Sequence, residues 1–355
     1  MLAGRTLQEL AIELDRQKNA KADYLADTRQ LNMALANGTL ATVLEMDLDG
    51  SKQNLDVNSV AHSQIAAQTG IPYKYYNRMQ AEDPELLTQN VNAWFQNQPQ
   101  TRMVRTLDGT ARAFLSERYR RIDHYEIAEA VLPMILDMPD ATVESCQLTE
   151  KRMYLKILNP RVQAEIVKGD IVQSGLMISN SEVGMGTVTV MPLIYRLVCS
   201  NGMIAADSGQ RKFHIGRLNE ADDNYEVFRS VTIEAEDKAF ILKLQDIVRA
   251  TADSVQFERI VTAMKAAVEA KITSNDVPKV VQLASRSFGL SESEGKGVLD
   301  HLIRDKDLSL YGLANAVTRQ AQEIDSYDRS TELEITGWNI MSMSRADWKT
   351  LNSDK

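Results

Sequence analysis

A chain of 355 residues, 44% hydrophobic and 25% charged, can bury a full core and hold two domains or one elaborated one. Its net charge of −9, if spread evenly, would repel nucleic acid, and its two cysteines exclude a disulfide scaffold and fit a reducing compartment. No apolar run reaches the roughly 18 residues that a bilayer span needs. Glu9, Glu13 and Asp15 soon after Arg5 break the order of a signal peptide, so a cytoplasmic protein with no membrane partner is expected.

From the N-terminus, Leu7, Leu10, Ile12 and Leu14, then Leu25, Leu31 and Leu35, recur at roughly helical spacing until Asn37-Gly38. That predicts helix then loop in a peripheral segment. Ser59 to Met79 places Ala66, Gly70 and Ile71 at helix-turn-helix spacing, with Pro72 opening a second helix that carries Tyr73, Lys74, Tyr75, Tyr76 and Arg78. Such a pair either reads a DNA groove or packs through its small residues in a protein that never meets DNA, and so short a motif leaves both open. Leu86 to Phe95 continues helically, with Trp94 and Phe95 expected in the core. Residues 1–100 thus read as a helical N-terminal region.

Thr101 to Ser116 is the clearest hairpin: two alternating runs around Asp108-Gly109, the pair that favours a type I′ turn. Pairing Leu107 with Thr110 and counting outward sets Arg105 opposite Arg112. Like charges so opposed destabilise a strand pair unless they splay into solvent or share an anion. Arg118, Tyr119, Arg120 and Arg121 follow, a pattern suited to phosphate contact and base stacking. A helix is expected over His124 to Leu136 and strands over 142–148, 152–158, 171–179 and 187–199, the last ending in a turn at Asn201-Gly202. The expected fold is α+β: a central, mainly antiparallel sheet with a basic hairpin, flanked by N-terminal helices and a helical C-terminal third. The divisions are 1–100, a basic core over 101–218, a helical region over 219–325, and an acidic, partly flexible tail over 326–355 in which Ile335, Trp338 and Ile340 dock.

Charge is segmented along the chain. Residues 102–121 hold six Lys/Arg against two Asp/Glu and 151–218 hold nine against four, whereas 122–150 holds none against seven. Polyanion binding would use the basic middle. No P-loop motif occurs, and Gly184-Met185-Gly186 is too short to cradle a phosphate. Cys199 and His214 can be drawn as nucleophile and base, and Asp123, Glu126, Glu182 and Asp207 as magnesium ligands, but neither set has a compact motif. The four histidines show no metal-ligand spacing, so no cofactor is expected. Asn180-Ser181-Glu182 is a polar cluster at a strand end, read either as a functional loop or as turn and cap chemistry.

Four segments carry a resemblance: A-R-A-F-L-S-E-R-Y-R-R-I-D (111–123), G-D-I-V-Q-S-G…N-S-E-V-G (169–184), Y-R-L-V-C-S-N-G-M (195–203) followed by His214, and the 62–95 stretch. Together they resemble domain of unknown function 932, a family of phage- and plasmid-like proteins, over roughly residues 60 to 220, with less resemblance in the C-terminal third. The resemblance implies mobile-element DNA metabolism and supplies no catalytic set. In outline, the basic hairpin, helix and strands are similar to the core of single-strand annealing proteins, an analogy of topology.

These observations lead to the expectation of a non-catalytic, homo-oligomeric protein that binds and anneals single-stranded DNA alongside host or phage replication and recombination proteins. The nucleic-acid contacts expected are Arg102, Arg105, Arg112, Arg118, Tyr119, Arg120, Arg121, Lys151, Arg152, Lys156, Arg196, Arg211, Lys212 and His214. A protein-interaction module acting on a host process through its acidic flanks is the second expectation, and a metal-dependent nuclease the third.

Overall fold

The structure, a computed structural model, describes residues 1–36, 39–48, 51–206, 230–251 and 254–352. Thr6 and Glu9 cap each other's backbone N–H groups and start helix α1 (Leu7–Ala20), which buries Leu10 and Leu14. The next segment departs from expectation. Strands β1 (Lys21–Asp27), β2 (Leu31–Leu35), β3 (Thr42–Leu48) and β4 (Ser51–Val57) stand where helix and loop were expected. Alternation decides it: Leu31, Met33, Leu44, Met46 and Leu55 share one buried face, whereas Leu25, counted in the helical stripe, is 60% exposed.

Helices α2 (Ser59–Gln68) and α3 (Tyr73–Glu82) form the expected pair about Gly70, whose φ of 68° suits glycine. With α4 (Pro84–Asn97) they cover the apolar face of the first sheet through Ile65, Tyr76, Leu87, Val91 and Phe95. Phe95 is core as expected; Trp94 is instead 40% exposed, one position round the helix from the buried stripe.

Asp108 and Gly109 take φ values of 51° and 78°, the turn that joins β5 (Thr101–Leu107) to β6 (Thr110–Ser116). The sheet runs β1-β5-β6-β4-β3-β2, antiparallel except where β4 meets β6. Leu107 faces Thr110 as counted, but a bulge then intervenes: Thr106 faces Ala111 and Arg105 faces Ala113. Arg112 is the extra residue, so the two arginines are not opposed across the strands.

Helix α5 (His124–Leu136) and strands β7 (Thr142–Leu148), β8 (Met153–Val167), β9 (Asp170–Asn180) and β10 (Thr189–Arg196) follow, with bounds close to those read from the sequence except that β8 runs nine residues past the expected end at 158. The turn after β10 falls at 197–200, with Ser200 at a φ of 51°, so Asn201 and Gly202 open strand β11 (Asn201–Ile204) instead of making the turn. This second sheet is antiparallel, in the order β11-β10-β9-β8-β7. Leu155, Ile157, Leu176 and Ile178 on one of its faces meet α1, α5 and helix α6 (Ser230–Thr251). The N-terminal helix is therefore part of this core and not peripheral.

Helices α7 (Ser254–Glu269), α8 (Val277–Phe288), α9 (Glu292–Asp305), α10 (Leu310–Gln320), α11 (Tyr327–Met341) and α12 (Arg345–Leu351) build a further core with Ile166, Val172, Ile194 and Met203 of the sheet, and Tyr327 and Glu334 of α11 reach its opposite face at Tyr154, Leu193 and Lys156. The described part of the expected tail is ordered helix: α11 buries Leu333, Glu334 and Ile340. The fold is α+β, and no helix among the described residues is long and apolar enough to cross a membrane.

Candidate nucleic-acid interface

The hairpin arginines face inward. Arg105, fully buried, donates from Nε to Asp23 at 2.8 Å, from Nη2 to Asp123 at 2.7 Å and from Nη1 to the carbonyl of Glu182 at 2.8 Å. Arg112 lies 2.6 Å from the Glu182 carboxylate, which is itself 3% exposed. Lys21 completes the cluster by pairing with Asp123 and approaching Glu182 to 3.8 Å. Three cations thus meet three carboxylates between the two sheets. Burial works against the charge on Arg105, and its hydrogen bonds to Asp23 and the charge of Asp123 outweigh it, raising its pKa. Burial likewise opposes the charge on Glu182, yet His124, Arg112, Lys21 and the His124 N–H hold the carboxyl down at about 2. The anion that reconciles the neighbouring arginines is the protein's own, so Arg105 and Arg112 are corrected from phosphate contacts to structural ones.

Four other expected contacts are also engaged. Lys156 is fully buried against Glu334 of α11 at 2.6 Å, and Arg196 holds Asp170 at 2.7 Å while Tyr311 donates to the same carboxylate. Lys156 and Arg196 are therefore removed from the expected groove. Arg120 reaches Glu236 of α6 at 3.3 Å. Tyr119 spends its hydroxyl on the carbonyl of Ser181 at 3.1 Å. Arg211, Lys212 and His214 lie outside the described residues, as does Asp207 of the drawn magnesium set. Of the rest of that set, Asp123 and Glu182 are engaged by cations and Glu126 caps the backbone N–H of Asp123. Cys199 lies 3.5 Å from an Arg196 guanidinium nitrogen.

The Asn180-Ser181-Glu182 cluster proves to be the point on which these elements converge. Asn180 to Val183 are 2–3% exposed, and their polar groups are met one by one. Asn180 donates to the Ile122 carbonyl; Ser181 Oγ donates to Lys151 O at 2.7 Å and accepts from Met185 N at 3.0 Å. Carbonyl oxygens of Ser181, Glu182, Val183 and Met185 accept from Tyr119, Arg105, Gln64 and Arg152 respectively. These donors come from a loop, β5, α2 and another loop. Gly184, at φ 72°, and Gly186, where a Cβ would overlap the Arg152 guanidinium, bring the chain back to the surface. Turn and cap chemistry is thus the better of the two readings for the buried half of this segment.

This loop draws the 117–121 and 149–152 segments to one rim. Arg118, Arg121 and Lys151 are exposed there, and Arg152 is half-buried above Gly186. Arg118 and Lys151 make no side-chain ion pair among the described residues; Arg121 touches Asp23 at 3.4 Å. Arg102, half-buried, donates to Gln100 from β5. Five of the fourteen expected residues remain available to a polyanion. Glu117 and Glu150 share these segments, leaving the rim net positive.

The family described as Domain of unknown function (DUF932) matches residues 112–340, well over half of the chain. The chain belongs to the DUF932 family. No curated protein and no solved structure matches it. The DUF932 match runs through the helical third to α11 and begins within β6, so the 62–95 resemblance falls outside it. Within the DUF932 region lie the loop at 180–186, both basic segments of the rim, and Glu182. Lys21, Asp23 and Gln64, which complete the cluster and the loop, precede it. Nothing in their sequence neighbourhood marks them, because each meets a partner 80 or more residues distant.

Proposed function

We propose that this protein binds single-stranded nucleic acid without sequence preference through the rim around residues 181–186, with Arg118, Arg121, Lys151 and Arg152 as phosphate contacts and Arg102 at the margin. The observation that carries this reading is the convergence of two basic loops on one rigid loop, in a chain whose net charge is −9. An acidic protein that concentrates exposed cations locally focuses a positive potential there. A single strand fits better than a duplex because the ribbon of the basic segment, the hairpin, has its central arginines committed inward, leaving no basic ribbon for a major groove. Annealing in a homo-oligomer, with single-stranded DNA passed along adjacent rims, is the fuller form of the proposal.

The test is fluorescence anisotropy with a labelled oligothymidylate, without metal, between 50 and 200 mM salt. Four to five phosphate contacts give a slope of log K against log salt of about −3. Arg118→Gln with Lys151→Gln, both exposed, should lower that slope by about 1.4 and leave the melting temperature unchanged. Absence of binding at the lowest salt would overturn the proposal.

A further inference from the structure

The 180–186 loop is held far more firmly than its exposed part requires. Four of its carbonyls are capped by side chains from four separate segments, and Ser181 Oγ ties the Met185 N–H at 3.0 Å. The result of this anchoring is an apolar side chain presented at the loop tip: Met185 is 38% exposed, while Asn180 to Val183 are 2–3% exposed. Glycines on both sides strip the tip of competing side chains. Gly186 is required there because the Arg152 guanidinium occupies the space a Cβ would fill, with one N–H bonded to the Met185 carbonyl. Lys151 is the next residue along, and Tyr119, between Arg118 and Arg120, donates to the base of the same loop.

An apolar, polarisable side chain on an anchored loop that also carries the basic 117–121 and 149–152 segments matches the chemistry of a nucleic-acid strand, which offers phosphates to the cations and a flat apolar base to the thioether. Flexible loops make poor wedges because bases push them aside; a preorganised one avoids that ordering cost. We infer that Met185 is a wedge that stacks on or between bases of the strand held by the rim. The inference rests on the proposed nucleic-acid reading and adds a base contact to its phosphate contacts.

The two parts separate experimentally. Phosphate contacts set the salt slope, and a base contact shifts affinity at every salt concentration equally. Met185→Ala should weaken oligothymidylate binding roughly 3- to 10-fold with an unchanged slope, whereas Met185→Leu, which keeps the apolar volume, should stay within about twofold of the parent. Met185 lies at the surface, so both variants should fold as the parent does, and equal melting temperatures check it. With a 2-aminopurine oligonucleotide, the parent should change the probe's emission on binding and Met185→Ala should not. In a parallel assay, bound oligonucleotide should protect Met185 from peroxide oxidation, read by peptide mass. If the parent binds with the expected slope but Met185→Ala matches it in affinity and emission, the wedge is wrong and the rim stands. If the parent does not bind, the nucleic-acid reading itself fails.

Discussion

His62 and His124 are both buried, and burial pushes each imidazole down to about 4, with Glu182 and Asp123 partly opposing the shift at His124. Both are therefore neutral at physiological pH. His62 Nδ1 lies 2.9 Å from the Tyr76 hydroxyl and its Nε2 lies 3.0 Å from the Gln80 amide; His124 Nδ1 faces the Asn180 amide at 3.0 Å. None of these partners is an anion. The sign follows from linkage: a histidine whose folded pKa is depressed binds its proton more readily when unfolded, so its contribution is complete above about 6.5 and declines as pH falls toward 4. Between pH 7 and pH 5 each histidine should cost about 2 kcal/mol. Urea unfolding at the two pH values measures the sum, and His62→Gln should remove about half of the pH dependence whatever it does to stability at pH 7. An unchanged dependence would mean that His62 is hydrated in solution. Glu182 acts in a lower window: its carboxylate contributes above about 4.3 and that contribution is lost as pH falls toward 2.

Among the elements, α11 shows why part of the fold was legible in the sequence and part was not. The strands from 142 to 196, the hairpin turn and α5 were readable because apolar alternation or period, together with turn and cap residues, is a local signal. Helix α11 instead buries polar residues, Ser330 against the Ala321 carbonyl at 2.7 Å and Glu334 against Lys156, so its composition imitates a solvated tail. The basic character of the middle was equally plain. Its partners were not, since Asp23 and Glu334 lie far along the chain from Arg105 and Lys156, and the bulge at Arg112 leaves no mark in a two-residue alternation. The Lys156–Glu334 pair, both fully buried, gives the element-scale prediction. Lys156→Met strands a carboxylate between β8 and α11 and should cost about 3–5 kcal/mol. Adding Glu334→Leu should restore most of that loss, because two apolar side chains need no compensation for lost hydration. Urea midpoints of the single and double variants decide it; a single-variant cost below about 1 kcal/mol would show the site to be wet.

At the scale of the whole molecule, the family match begins at Arg112, inside a strand, and that boundary does not divide the structure. Strand β6 has β5 as its hairpin partner, and Arg105 of β5 holds Asp123 at the start of α5. Leu10 and Leu14 of α1 sit in the core formed by α5, α6 and the second sheet, and Arg5 pairs with Cys146 at the edge of β7. The residues before 112 therefore complete the matched region instead of forming a separable attachment. Removing residues 1–20 strips two buried leucines from that core, a loss of roughly 3–6 kcal/mol. Against a total stability of about 5–15 kcal/mol, that variant should still fold but melt well below the parent. Removing residues 1–111 takes away β5, Arg105 and Lys21 as well, leaving Asp123 without either cation and β6 without its hairpin partner. A chain of residues 112–352 should then lack a cooperative melt by circular dichroism, whereas the parent should show one. If residues 112–352 alone unfold cooperatively as a monomer, the charge cluster joins two independent units, and the rim should then bind nucleic acid without the N-terminal sheet.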